Sequence, residues 1–264
     1  MSEQRHVLVA GGTSGINLGI AIGFARDGAR LSVFSRSRDK VDAAVAALDA
    51  ASPNGTPGAH GGTADVRKPE EVEAVIAAAV AAHGPIDVLV SGAAGNFLAP
   101  AVAMSPNAFG SVVGIDLNGT FHVLKLAFDH LRKPGASIIN VSAPQAWVPM
   151  MAQAHVCAAK AGVDMLTKTL AMEWGPVGVR VNSLVPGPID GTEGMARLLV
   201  DPAKKEALAK TVPLGRLGQV EDCADVARFL ASDAARYVSG VVLPVDGGWS
   251  LAGATLAMGQ MMGG

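Results

Sequence analysis

The sequence predicts an α/β protein: a single domain, residues 1–264, built on a doubly wound parallel sheet of about seven strands with helices on both faces. Three observations carry this expectation. Short β-branched runs alternate with longer helical patterns along the chain. The strand runs are near-continuously apolar rather than alternating, as strands covered on both faces must be. Half of the residues (50%) are apolar and only 4% are aromatic, which suits small aliphatic side chains packed between layers. A length of 264 residues suits one large domain or two small ones. With no linker and no repeat in the sequence, one is expected.

The strand expectations run in order as "HVLVA" (His6–Ala10), "RLSVFS" (Arg30–Ser35), a weaker "AHGGTADV" at 59–66, "IDVLVSG" at 86–92, "SIINVS" at 137–142, "VRVNSLVPG" at 179–187 and "VVLPVDGG" at 241–248. Helical patterns fill 18–28, 39–51, 69–83, 107–131, 151–175 and 221–231. Asp39 opens the second, and Pro69 followed by Glu70 and Glu71 opens the third, where acids favour a positive helix end. Right-handed crossovers between such units wind the sheet in both directions. The stretch 186–217 is rich in glycine and proline and is a candidate substrate lid; 251–264 is a tail, flexible or packed on a neighbouring subunit.

Composition excludes several functions. Net charge is −2, with both signs spread along the chain, so neither a nucleic acid nor a polybasic membrane surface is an expected partner. The longest apolar run, "AVIAAAVAA" at 74–82, is too short to span a bilayer and is bounded by Glu73 and His83. The opening "MSEQRHVLVAGG" has no signal-peptide core. Cys157 and Cys223 lie far apart in helical patterns and read as reduced thiols, so a cytoplasmic protein without a metal site is expected.

The chemistry begins at "AGGTSGINLG", residues 10–19. Glycines after a strand let the backbone turn tightly and approach a pyrophosphate, and the following helix presents free N–H groups. Gly11, Thr13, Ser14, Gly15, Ile16 and Asn17 are the candidate cofactor residues. A plain tight turn is the alternative reading. At the end of the second strand stands "SRSRDK": Ser35 takes the place where a carboxylate would bind a ribose diol, and Arg36 and Arg38 follow. Guanidinium groups suit a 2′-phosphate, which favours NADPH. An ordinary basic helix start on the surface is the other reading. Asp65 and Val66 are placed for adenine.

Together, "GGTSGINLG", "ADV", "LVSGAAG", "IDLNGTF", "AAKAG", "RVNSLVPGPI" and "VDGG" resemble the short-chain dehydrogenase/reductase family over nearly the whole chain. The resemblance implies a Rossmann-type fold and adds Ala93, Pro186, Gly187, Pro188, Ile189, Thr192 and Lys160 to the cofactor residues. It also exposes a departure. Of the family's Asn–Ser–Tyr–Lys tetrad only Lys160 remains; Asp116 stands at the Asn place, Ala143 at the Ser place with Ser142 one residue early, and Val156 at the Tyr place. The one tyrosine, Tyr237, is far downstream. Chemistry that relies on a phenolic acid is therefore not expected.

That departure, with "GAAGNFLAP", "HVCAAKAG" and "EWGPVGVRVNSLVPGPIDGTEGMARL", resembles the peroxisomal-type 2,4-dienoyl-CoA reductases and their bacterial relatives. The chain ends in Met-Met-Gly-Gly, not a peroxisomal signal. The resemblance implies NADPH-dependent reduction of 2,4-dienoyl-CoA to 3-enoyl-CoA in fatty-acid β-oxidation, and a homotetramer. Asp116 would act as general acid through water, facing Lys160, which would orient the cofactor and keep the site positive for a dienolate. Phe97, Ser105, Asn107, Arg197 and Arg67 would meet the acyl-CoA. Each residue also has a plain reading. Lys160 fits an i,i+4 surface pair with Asp164. Asp116 fits backbone bonding at a helix kink. His155 either contacts substrate or covers the helix surface, and Cys157 fills core. Ser105 fits a helix N-cap, and Arg67 and Arg197 fit surface charges. Two other functions stay open: an NADP-linked reductase of another enoyl or keto substrate, and an inactive cofactor-binding scaffold.

Overall fold

The protein is described from a computed structural model, over residues 4–54, 56–192 and 201–251. Seven strands form one sheet: β1 (His6–Ala10), β2 (Arg30–Ser35), β3 (His60–Thr63), β4 (Val88–Ser91), β5 (Ser137–Val141), β6 (Arg180–Pro186) and β7 (Val242–Val245). Their spatial order is β3-β2-β1-β4-β5-β6-β7, and every neighbouring pair is parallel. The chain winds outward from β1 to β3, then restarts at β4 on the other side of β1. The two connections leave in opposite directions there, so a crevice opens beyond the carboxyl ends of β1 and β4.

The helices among the described residues are α1 (Gly15–Arg26), α2 (Arg38–Ala51), α3 (Pro69–His83), α4 (Pro106–Val113), α5 (Gly119–Ala127), α6 (Ala154–Trp174), α7 (Pro202–Thr211) and α8 (Val220–Ala231). Successive strand residues point to opposite faces. Val7 and Val9 pack under Ile20, Phe24, Leu48 and Leu230 of α1, α2 and α8. Leu8 and Ala10 pack under Val72, Ile76, Leu124 and Leu170 of α3, α5 and α6. Two cores, one on each face, are why the strands read as continuous apolar runs. Each large side chain so buried contributes about 1.5–3 kcal/mol.

Three elements differ from the sequence expectation. β3 has four residues, at the sheet edge, because Gly61 and Gly62 supply no side chain to pack. α6 begins at Ala154 rather than 151, just after Ala152 takes a left-handed φ of 61°. The helix expected over 107–131 is interrupted: α4 widens into a π-helical turn, Gly114–Asn118, before α5 resumes, and a tighter turn, Phe128–His130, ends it. Of the candidate lid, α7 is described and 193–200 is not; the tail beyond Leu251 also lies outside the described residues. No helix among the described residues is long and apolar enough to cross a membrane.

Candidate active site

The crevice starts at Gly11, whose φ is +72°. A Cβ there would stand 2.9 Å from the backbone N and Cα of Ala93, so only glycine lets the β1 turn lie against the end of β4. Asn17 ties the same two loops together, donating from Nδ2 to the Gly92 carbonyl at 2.7 Å. Ile16 packs its side chain against the core, leaving only its backbone near the loop. Ser14, the N-cap of α1, makes no side-chain capping bond. The first N–H groups of α1 are thus left for an anion in front of the helix.

A cleft of about 410 Å³ runs from this loop along the end of β2. Gly11, Thr13, Ser14 and Asn17 line one wall; Ser35, Arg36, Ser37 and Lys40 line its corner; Asp65, Val66 and Ala93 line the other wall. Thr13 Oγ1 donates to Ser35 Oγ at 3.0 Å across it. Glycines at the close approach, free helix N–H groups and a basic corner fit the pyrophosphate and 2′-phosphate of a dinucleotide.

One sequence expectation differs from the structure here. Arg38 does not join Arg36 in the corner. It stands one residue into α2 and forms an exposed i,i+4 pair with Asp42, its Nε donating to Oδ1 at 2.9 Å. Lys40, the last residue of "SRSRDK", lines the corner instead. Arg67 is a surface charge, as its plain reading held, with its Nε donating to Asp65 at 3.0 Å. That pairing holds the Asp65 carboxyl down at about 2.

Beyond the cleft lies a buried ion pair. Lys160 Nζ is 3.6 Å from Asp116 Oδ2, and the two side chains are 7% and 1% exposed. Asp116 sits in the π-helical turn, where the widened backbone aims its carboxylate at the loop after β4. There the Gly95 N–H donates to Asp116 Oδ1 at 2.7 Å, and Thr120 Oγ1 donates to the Asp116 carbonyl at 2.7 Å. Burial raises the Asp116 carboxyl above its ordinary value, against the opposing pull of Lys160 and the Gly95 N–H. Lys160 also donates to the Val141 carbonyl at 3.0 Å. The plain reading of Lys160, a surface i,i+4 pair with Asp164, does not hold: Asp164 is itself buried, and burial raises its carboxyl too.

The approach of these elements rests on Gly162, two residues after Lys160 on α6. A Cβ there would stand 2.8 Å from Leu117 Cδ2 of the π-helical turn. Val156 is buried at the place of the missing phenol. Tyr237 lines a separate cleft with Arg5, Asp87 and Gly178, at the amino ends of the strands, opposite the crevice.

Sequence comparison agrees with this geometry. A family profile described as Enoyl-(Acyl carrier protein) reductase matches residues 10–250. A rat (Rattus norvegicus) protein named peroxisomal 2,4-dienoyl-CoA reductase, (3E)-enoyl-CoA-producing, is 42% identical over 247 residues, covering 93% of this chain and 84% of the relative. The chain belongs to the short-chain dehydrogenase/reductase family.

A Bacillus subtilis family member named "Probable 2,4-dienoyl-CoA reductase", (2E)-enoyl-CoA-producing, is 37% identical over 256 residues, covering 93% of this chain and 96% of that one. A solved short-chain type dehydrogenase/reductase from Mycobacterium ulcerans superposes with a TM-score of 0.88 at 36% identity, covering 95% of this chain and 92% of that one. This short-chain dehydrogenase/reductase is an oxidoreductase whose family implies a nicotinamide cofactor.

Other predicted residues are more scattered. Thr192 Cγ2 lies 3.9 Å from where a Cβ on Gly15 would be, so the exit of β6 reaches over the start of α1. Gly187 packs against Asp246, while Pro188 and Ile189 line a neighbouring cleft with Val212 and Gly247. Phe97 is 38% exposed and stacks edge-on with His155. Ser105 caps α4 by accepting from the Ala108 N–H at 3.1 Å, as its plain reading held, and Asn107 is exposed beside it. Arg197 lies outside the described residues. Sequence reasoning missed Lys40, Ser37, the Gly95 donor and the π-helical turn. The first two were legible in "SRSRDK"; the others have no local signal.

Proposed function

We propose that this chain is an NADPH-dependent 2,4-dienoyl-CoA reductase that forms 3-enoyl-CoA in fatty-acid β-oxidation. The observation that carries the reading is the buried Asp116–Lys160 pair, 3.6 Å apart, with Val156 where a phenolic acid would stand. A ketone or alcohol substrate needs an acid at its oxygen. A dienoyl thioester needs its proton on carbon, so an acid set elsewhere in the site serves it. The names of the rat and Bacillus relatives support the same substrate class.

The corner made by Ser35, Arg36, Ser37 and Lys40 fits a 2′-phosphate, which supports NADPH over NADH. When bound, the cofactor supplies a hydride to the distal carbon of the diene. Lys160 is the fixed positive charge beside the thioester oxygen as electron density moves there. Asp116, whose burial raises its carboxyl above the ordinary value, gives a proton through water to the carbon next to the thioester. One hydride and one proton thus leave a single double bond at the 3-position. Protonation two carbons further out would leave it at the 2-position instead. Asp116 is then reprotonated from solvent. Phe97 stands half-exposed beside His155, and α7, the described part of the candidate lid, follows β6 in the chain. Phe121, Met165 and Met172 stay exposed on α5 and α6, which supports the expected association of four copies.

The test is the loss of NADPH absorbance with 2,4-hexadienoyl-CoA and 2,4-decadienoyl-CoA. Oxidation is expected with at least one. No oxidation with either would sink the reading.

A further inference from the structure

His155 is completely buried, yet neither ring nitrogen has a hydrogen-bond partner among the described residues. Buried polar groups of native proteins are almost always paired, with protein, ligand or ordered water. The imidazole lies at the start of α6, on the same helix as Lys160. Its ring meets Phe97 edge-on, with centroids 4.4 Å apart. Phe97 follows Gly95 by two residues, and the Gly95 N–H holds Asp116 Oδ1. The ring is thus packed against the loop after β4, the same loop whose Gly95 N–H holds Asp116.

Asp116 has one oxygen committed to Gly95. The other, Oδ2, faces Lys160 Nζ at 3.6 Å, too far for a tight hydrogen bond. Groups at that separation readily share a bridging water. A buried water needs two to four polar partners. Asp116, Lys160 and His155 supply three, and an imidazole carries at least one N–H in any protonation state.

We propose that His155 is a positioning residue for proton delivery: its imidazole holds the water through which Asp116 passes its proton to the substrate carbon. This rests on the dienoyl-CoA reductase reading, and it assigns a role to a residue outside the family tetrad. His155 neither forms nor breaks a bond. It fixes one water so that the proton leaves Asp116 toward the substrate.

The test uses His155→Phe, which keeps an aromatic ring against Phe97 and removes both nitrogens. The expected kcat for dienoyl-CoA reduction falls about tenfold or more, with a larger solvent deuterium isotope effect. KM for NADPH and for dienoyl-CoA stays within about twofold, because the packing is retained. His155→Gln, which restores a donor and an acceptor, recovers part of the rate. A folded His155→Phe variant with unchanged kcat and isotope effect overturns the proposal. A second measurement needs no substrate: the ring-nitrogen resonances of isotope-labelled His155 are compared with and without Asp116→Asn. A shift is expected if one water joins them, and unchanged resonances overturn the proposal. If the unmodified chain fails to oxidise NADPH with dienoyl-CoA, the functional reading fails, while the resonances still decide on His155.

Discussion

Lys160 Nζ stands 3.6 Å from Asp116 Oδ2, and neither side chain has more than a few per cent of its surface in water. Breaking a buried pair by removing one partner leaves the other charge uncompensated. The two single variants should therefore differ in kind. Asp116→Asn keeps the shape and removes the acid; kcat for dienoyl-CoA should drop about 10²–10⁴-fold with little change in KM. Lys160→Ala removes the main charge that opposes the rise in the Asp116 carboxyl. The acid form supplies the proton, so activity falls as pH rises through the Asp116 value. In Lys160→Ala that descending limb should move to higher pH, and KM for NADPH should rise. A pH–rate profile with its limb unmoved would count against the assigned roles.

Gly162→Val tests the packing behind the pair. A Cβ at 162 already meets the Leu117 side chain at 2.8 Å, so Leu117 must turn away or α6 and the π-helical turn must move apart. Overpacking of this kind costs about 1–3 kcal/mol. Denaturant unfolding should show that loss, and kcat should fall with it as Lys160 moves from Asp116. A variant of normal stability and rate would mean that the contact does not set the site.

The cofactor corner predicts an order of effects. Arg36→Asp and Lys40→Ser should each weaken NADPH relative to NADH by about 10–100-fold, since hydrogen bonds to charged groups are worth about 1.5–3 kcal/mol. Arg38→Ser should leave the ratio unchanged, because its guanidinium is turned to Asp42. The ratio of kcat/KM for the two cofactors reads this directly. A large effect at Arg38 and none at Lys40 would restore the original sequence expectation.

Stability should fall on the acid side. His6 is buried, with Nδ1 at 2.8 Å from the Gly84 carbonyl and Nε2 at 2.9 Å from Ser32 Oγ. Burial lowers its value from 6.5 to about 4, and lowers that of neighbouring His83 as well. The unfolded chain binds the proton first. The contribution of neutral His6 is thus fully present above 6.5 and is lost as pH falls toward 4. A shift of this size is about 3 kcal/mol. Tm should be flat above pH 7 and fall between 6.5 and 4, with a shallower slope in His6→Gln. An equal slope in that variant would assign the acid loss to other groups.

Much of this was legible in the sequence. The continuous apolar runs reported strands buried on both faces, and all seven were found in parallel register. "AGGTSGINLG" located the tight turn of the candidate cofactor loop because a glycine at position 11 answers a local demand, a positive φ beside a neighbouring strand. Val156 and Lys160 showed which chemistry to doubt. The errors fell where side chains chose partners. "SRSRDK" offers three cations in six residues, and only the helical phase of α2 turns Arg38 toward Asp42 and Lys40 into the cleft.

The sequence by itself determined the layers, the strand content and the residue types available at the site, because those follow from local periodicity and turn chemistry. Tertiary structure alone decided that Asp116 leaves a regular helix for a π-helical turn. It also decided that Leu117 seats on Gly162, and that Asp116 and Lys160 meet away from water. The reason is physical: Asp116 and Lys160 are 44 positions apart in the chain, from 116 to 160. Their 3.6 Å separation depends on two elements packing side by side, which no local pattern records.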